Sequence, residues 1–130
     1  MSYYLRFKKG GVQIYNACRC TKLYGAFKNA PWDKWEEMEI TEFEDARYKL
    51  IRDRESLEDT KDTYVQIFES ETDRESKFEL IDAIKEFTRE IKEIDTALIQ
   101  VDMLEEIWKE GEYSEDEAER ANVGLEWGVF

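Results

Sequence analysis

The chain is predicted to fold as an α+β protein: a small antiparallel sheet (N-terminal hairpin plus C-terminal strand) carrying a long antiparallel helical hairpin. Three observations predict it. Residues 3–8 and 12–17 alternate apolar and polar side chains around Gly10-Gly11. Residues 41–110 repeat apolar side chains at intervals of three and four, and Leu125, Trp127 and Val129 alternate again near the other end. One domain over 1–130 is expected, with a basic aromatic hairpin and short helices over 1–40, the helical hairpin over 41–111, and a short helix and strand over 112–130.

In the first strand, Tyr3, Leu5 and Phe7 share one face, and Tyr4, Arg6 and Lys8 the other. Gly10-Gly11 suits a two-residue primed turn, where φ must be positive. Thr21 is placed to cap a short helix reaching about Lys28, with Leu23, Tyr24 and Phe27 inward. Pro31 is placed to open another turn of helix, on which Trp32, Trp35 and Met38 fall on one face. That aromatic stripe reads as cover for one end of the sheet rather than as a ligand box.

Thr41-Glu42-Phe43-Glu44 and Thr72-Asp73-Arg74-Glu75 are capping boxes. They predict helices from about 42 to Glu69 and from about 73 to 110, with Gly111 ending the second. The few residues between them force an antiparallel hairpin. The second helix has a full apolar seam: Leu80, Ile84, Phe87, Ile91, Ile94, Leu98 and Val101. The first offers Phe43, Leu50, Leu57 and Tyr64 at one seam position, but Arg47, Arg54 and Lys61 before Phe68 at the other. Cations on an apolar stripe must be paired or snorkel to water. Snorkelling at the edge of a narrow seam, with acids of the second helix as available partners, accounts best for Arg47 and Lys61. The surplus apolar residues Ile81, Ile99 and Ile107 predict packing on a second copy, as a homodimer or higher homo-oligomer.

Ser114-Glu115-Asp116-Glu117 is a third capping signature, for a short helix through Arg120 that Gly124 can end. Residues 125–130 then read as a strand. A hairpin needs a third strand to be stable, so this one either returns past the helices or joins the sheet of a partner chain.

Charge is divided unevenly. Residues 1–35 hold seven bases and one acid, a net of +6, together with eight aromatics; the remaining 12 bases and 31 acids make −19, which gives −13 overall. Cations interleaved with aromatics suit a planar anion such as a nucleotide. A sequence pI near 4.5 argues against a protein that coats DNA or binds anionic membranes by bulk charge. No direct nucleic-acid contact, no membrane and a cytoplasmic location are expected, the last because the N-terminus lacks a signal-peptide apolar region.

The chemistry on offer is narrow. The sequence has no histidine, which excludes histidine triads and shuttles. Gly10-Gly11 lacks the pattern of a phosphate loop. Cys18-Arg19-Cys20 supplies two of the four ligands a structural zinc needs. The carboxylate runs at Glu36–Glu39 and Glu115–Glu119 read as solvated faces rather than Mg²⁺ sites. No enzyme, no metal and no cofactor are expected.

Binding residues remain. Arg19, Lys22, Lys28, Arg54 and Arg120 could converge where sheet, first helix and terminal segment meet. Arginine holds phosphate bidentately, and Asn122 can read the edge of a base. An i,i+4 ion pair with Asp116 is the competing use of Arg120. The candidate ligand-binding residues are Arg19, Tyr24, Arg54, Arg120, Asn122 and Trp127.

In its order of elements, a small N-terminal sheet, two long helices and a C-terminal strand, the chain resembles the phage sponge proteins that counter the Thoeris defence system. The resemblance covers the whole chain as architecture and implies a homodimer paired through its long helices, each C-terminal strand completing the partner's sheet. It implies sequestration, without cleavage, of a cyclic ADP-ribose signal at the dimer interface. Arg54 and Arg120 would then hold the phosphates, with Asn122 or a nearby aromatic at the base. Two other functions are open. The −19 segment could serve an inhibitor or DNA mimic acting on a host defence protein, or the helices could be a structural hairpin module.

Overall fold

A computed structural model describes residues 3–130. Its elements are β1 (Tyr4–Lys9), β2 (Val12–Cys18), α1 (Lys22–Ala26), β3 (Glu36–Glu37), α2 (Thr41–Ser70), α3 (Arg74–Lys109), α4 (Glu117–Ala121) and β4 (Glu126–Val129). The α+β class holds: a four-stranded antiparallel sheet of order β2-β1-β4-β3, with the helical hairpin packed on one face.

The alternation of β1 does what its period dictates. Leu5 and Phe7 are fully buried, and Tyr4, Arg6 and Lys8 face the other way. Gly10 and Gly11, at φ 59° and 79°, make the turn, as the left-handed region requires. β4 lies inside the sheet, between β1 and β3, and pairs with β1 of its own chain. Of the two routes open to this strand, the single chain takes the return past its own helices.

The helical turn expected after Pro31 does not form. The segment runs extended beside β4: Val129 N–H donates to the Pro31 carbonyl (2.8 Å), Asp33 N–H to the Val129 carbonyl (2.9 Å), and Met38 N–H to the Leu125 carbonyl (2.8 Å). The free edge of β4 offers a row of backbone partners, and this outweighs the helical spacing of Trp32, Trp35 and Met38. Those three do not share an environment: Met38 is buried, Trp35 half-buried, and Trp32 54% exposed.

The helices fall where their periodicity places them, but with different caps. α1 ends at Ala26, short of Lys28, although Thr21 caps it, its hydroxyl accepting from Tyr24 N–H at 3.3 Å. α2 begins at Thr41 after Ile40, without a side-chain cap. α3 is capped by Asp73 rather than Thr72: its carboxylate accepts from Ser76 N–H at 2.9 Å. α4 is capped by Asp116 rather than Ser114, accepting from Ala118 N–H at 2.9 Å.

Four aromatic side chains from four segments lie at the centre of a largely aliphatic core. Phe27 meets Phe7, Phe43 and Trp127 edge-on, at centroid separations of 5.8, 6.1 and 5.7 Å. It joins β1, the end of α1, the start of α2 and β4. The buried residues of α2 stop at Leu50, and those of α3 start at Ile91. Beyond them the hairpin continues as an arm of about 30 Å, at 1.5 Å per residue over 51–70. There Leu57, Tyr64, Ile84 and Phe87 are only half-buried. Two of the three seam cations find acids on α3, whereas half-buried Lys61 enters no ion pair among the described residues. Arg47 binds Asp102 and Glu105, each at 2.8 Å, and Arg54 binds Asp95 at 2.7 Å together with Glu58 of its own helix.

Candidate functional site

The face of the sheet turned away from the helices carries the cation–aromatic pattern of the sequence. Cross-strand register sets its rows, because directly opposed residues point the same way. Tyr4 lies opposite Cys18, Arg6 between Asn16 and Gly128, and Lys8 between Gln13 and Glu126. Phe130 joins the first row through reciprocal backbone hydrogen bonds with Tyr4, at 2.8 and 3.0 Å. Trp35 packs against Phe130 at 4.8 Å between centroids, and Lys8 Nζ lies 4.4 Å from the Trp35 ring.

Gly128 makes this packing possible. It is buried, and a Cβ there would strike the Lys34 carbonyl oxygen and the Phe130 ring. The absence of a side chain lets the Lys34–Trp35 segment lie close over the centre of the sheet.

Arg6 sits in the middle of this frame. Its guanidinium carbon lies 5.6 Å from the Tyr4 ring centroid. Its Nε is shut off from solvent and has no hydrogen-bond partner. A donor left so costs free energy. Among the described residues, neither Arg6 nor Arg120 enters an ion pair, so the expected competing pair of Arg120 with Asp116 does not form. Lys8, by contrast, is held by Glu126 at 3.1 Å.

At the Lys8 end the face opens into a cleft of about 300 Å³ between the hairpin turn and residues 121–126. Lys8, Lys9, Gly10, Trp108, Asn122 and Glu126 are among its lining residues. The Asn122 amide lies over Gly10, where a Cβ would sit 3.2 Å from its Oδ1. Lys9 is a fastener: Nζ donates to the carbonyls of Ile107 (2.7 Å) and Gly124 (3.3 Å), tying α3 to the segment before β4. Burial lowers its pKa, partly offset by Glu110. Trp108 Nε1 donates to the Met38 carbonyl at 2.9 Å and fixes the cleft floor. From Arg6 to Gly10 the strand spans about 13 Å, at roughly 3.3 Å per residue. Lys8 and Glu126 of the face also line the cleft.

The sequence candidates scatter. Asn122 lines the cleft, and Arg120 stands two residues away on α4, exposed. Arg54 lies elsewhere: its partner Asp95 is separated from Ile107, where α3 meets Lys9, by about 18 Å of helix. The Asp95 hydrogen bond raises the Arg54 pKa, so this cation is already matched by carboxylates. Trp127 is buried among Phe7 and Phe27 on the helix side. Tyr24 packs half-buried against the core, and Arg19 is exposed in the turn after β2. Sequence reasoning left Arg6, Trp35 and Phe130 out of the candidate set. The alternation of β1 already placed Arg6 beside Tyr4 and Lys8, but no local signal brings Trp35 and Phe130 to them. Among the described residues, no helix is long and apolar enough to cross a membrane, and no group of three or more Cys, Asp or Glu is placed to hold a metal ion. Comparison with known protein families, with characterised proteins and with solved structures gives no match.

Proposed function

We propose that this protein binds a small nucleotide-like anion and sequesters it without cleaving it, in the cytoplasm of the cell where it is made. This is the activity implied by its resemblance to the phage sponges of cyclic ADP-ribose signals. The observation that carries the reading is Arg6: a half-buried arginine without a carboxylate partner, on the sheet face turned away from the helices that also carries Tyr4, Trp35 and Phe130. A phosphate accepts from the guanidinium, a planar base stacks on the rings, and the Asn122 amide in the adjoining cleft is free to meet a base edge. Calorimetry against cyclic nucleotides and cyclic isomers of ADP-ribose tests it. At least one should bind at micromolar concentration, and Arg6→Ala should weaken it at least tenfold while the circular dichroism stays unchanged. If no member of the panel binds, or Arg6→Ala binds as well as wild type, the reading fails.

A second reading rests on the arm. Residues 41–110 hold 22 acids and 11 bases, and Ile51, Ile67 and Phe78 are exposed among them. A surface of that sign and texture fits a basic protein partner, such as a host defence protein. Capture of a partner by wild type that is lost at moderate salt would favour it.

A further inference from the structure

Cys18 ends β2 on the outer face opposite Tyr4, and Cys20 follows in the turn toward α1. That turn is fixed at its base. Thr21 N–H donates to the Cys18 carbonyl at 3.0 Å, and the Thr21 hydroxyl donates to the same oxygen at 2.7 Å. The two thiols are free, Cys18 half-buried and Cys20 exposed, and their sulfurs are 3.1 Å apart in a hydrogen bond. A groove of about 280 Å³ opens beside Cys20, with Lys22, Glu93 and Gln100 among its lining side chains.

We propose that Cys18 and Cys20 form a dithiol site that exchanges with a low-molecular-weight disulfide of the glutathione class and closes to a Cys18–Cys20 bond. The sulfurs need to approach by about 1 Å to reach the ~2.05 Å of that bond. The contact also separates their roles. The Cys20 backbone N–H and the contact with the Cys20 thiol lower the Cys18 pKa, while the same thiol contact raises that of Cys20. Cys18 thiolate attacks one sulfur of the small disulfide, and the other half leaves as a thiolate. Cys20 then attacks the Cys18 sulfur of the mixed disulfide, and the second half leaves. Two protein thiols are oxidised and one small disulfide is reduced to two thiols, which carry away the two protons. The exposed groove gives the polar arms of such a disulfide room beside Cys20.

The test is intact mass after incubating the full chain with oxidised glutathione and alkylating what remains reduced. Wild type should lose two hydrogens and retain no glutathione. Cys20→Ser, unable to resolve, should hold one glutathione on Cys18, and Cys18→Ser should take it up more slowly. Both cysteines are outside the buried core, so the variants should fold, as checked by circular dichroism. Wild type that stays reduced, keeps a stable glutathione adduct, or forms a bond between chains instead would overturn the proposal. Equal uptake by the two variants would overturn the role given to Cys18.

Discussion

Gly128 shows how much one missing side chain determines at the residue scale. Lys34 and Phe130 occupy the space a Cβ would need, and one of the obstructing atoms is a backbone oxygen with little freedom to move. Gly128→Ala should therefore destabilise the protein by about 1–3 kcal/mol, the range for an overpacked site, as read from urea unfolding. Asp73 gives a second prediction. Hydrogen bonds from the Ser76 N–H and hydroxyl lower its pKa below the ordinary 3.8. A carboxylate whose folded pKa is depressed stabilises the fold above its unfolded pKa, and this stabilisation is lost as pH falls through the folded value. Wild type should then be more stable than Asp73→Ala at neutral pH, with the gap narrowing below pH 3.8 in denaturant titrations at successive pH values. Residue faces were legible in the sequence wherever a short period governs, as in Tyr4, Arg6 and Lys8. Pairings at a distance were not. Nothing local to Arg54 announces that Asp95, 41 positions away, will take it.

The elements differ in how firmly they are held. The base of the helical hairpin is anchored by buried Phe43, Ala46, Leu50, Ile94, Val101 and Leu104, whereas the arm beyond Leu50 and before Ile91 has no fully buried side chain. Amide hydrogen exchange should show it: protection should be strongest over 43–50 and 94–104 and at least tenfold weaker over 55–88, because local opening there exposes little apolar surface. Uniform protection would contradict this account. Long helices and the first hairpin were legible because their period is sustained. β3 was not, because Glu36-Glu37 has no apolar alternation, and its strand conformation is imposed by the open edge of β4. The expected helix at Pro31 failed for the same reason. Capping signatures located the helix starts to within a residue or two, yet only the structure shows that Asp73 and Asp116 do the capping.

At the scale of the whole molecule, the surplus apolar surface is narrower than the sequence suggested. Ile107 packs against the core and Ile81 is half-buried, but Ile99 is 61% exposed, and Met103 one turn further is exposed too. Tyr48 and Ile51 are exposed on α2 between Arg47 and Arg54, whose partners Asp102 and Asp95 bracket Ile99. All lie at one level of the hairpin. If two copies pair through this band, sedimentation velocity should show a dimer at micromolar concentration, and Ile99→Glu with Met103→Lys should convert it to monomer without loss of helicity. A wild-type monomer under those conditions would remove the homodimer. The basic sheet end and the acidic arm keep opposite charge at opposite ends, which favours side-by-side pairing of arms only if apolar contact outweighs their mutual repulsion.

The inside position of β4 has a bearing on how the molecule assembles. Leu5 pairs with Val129 across 124 positions of chain, while the two hairpins, of strands and of helices, need only local contacts. Closing so long a loop is slow compared with forming a turn. During synthesis both hairpins can form early, but β1 keeps one edge open until the last strand arrives. For that interval the nascent protein presents a ready slot for any extended segment, its own or another's, and folding becomes a competition for that slot.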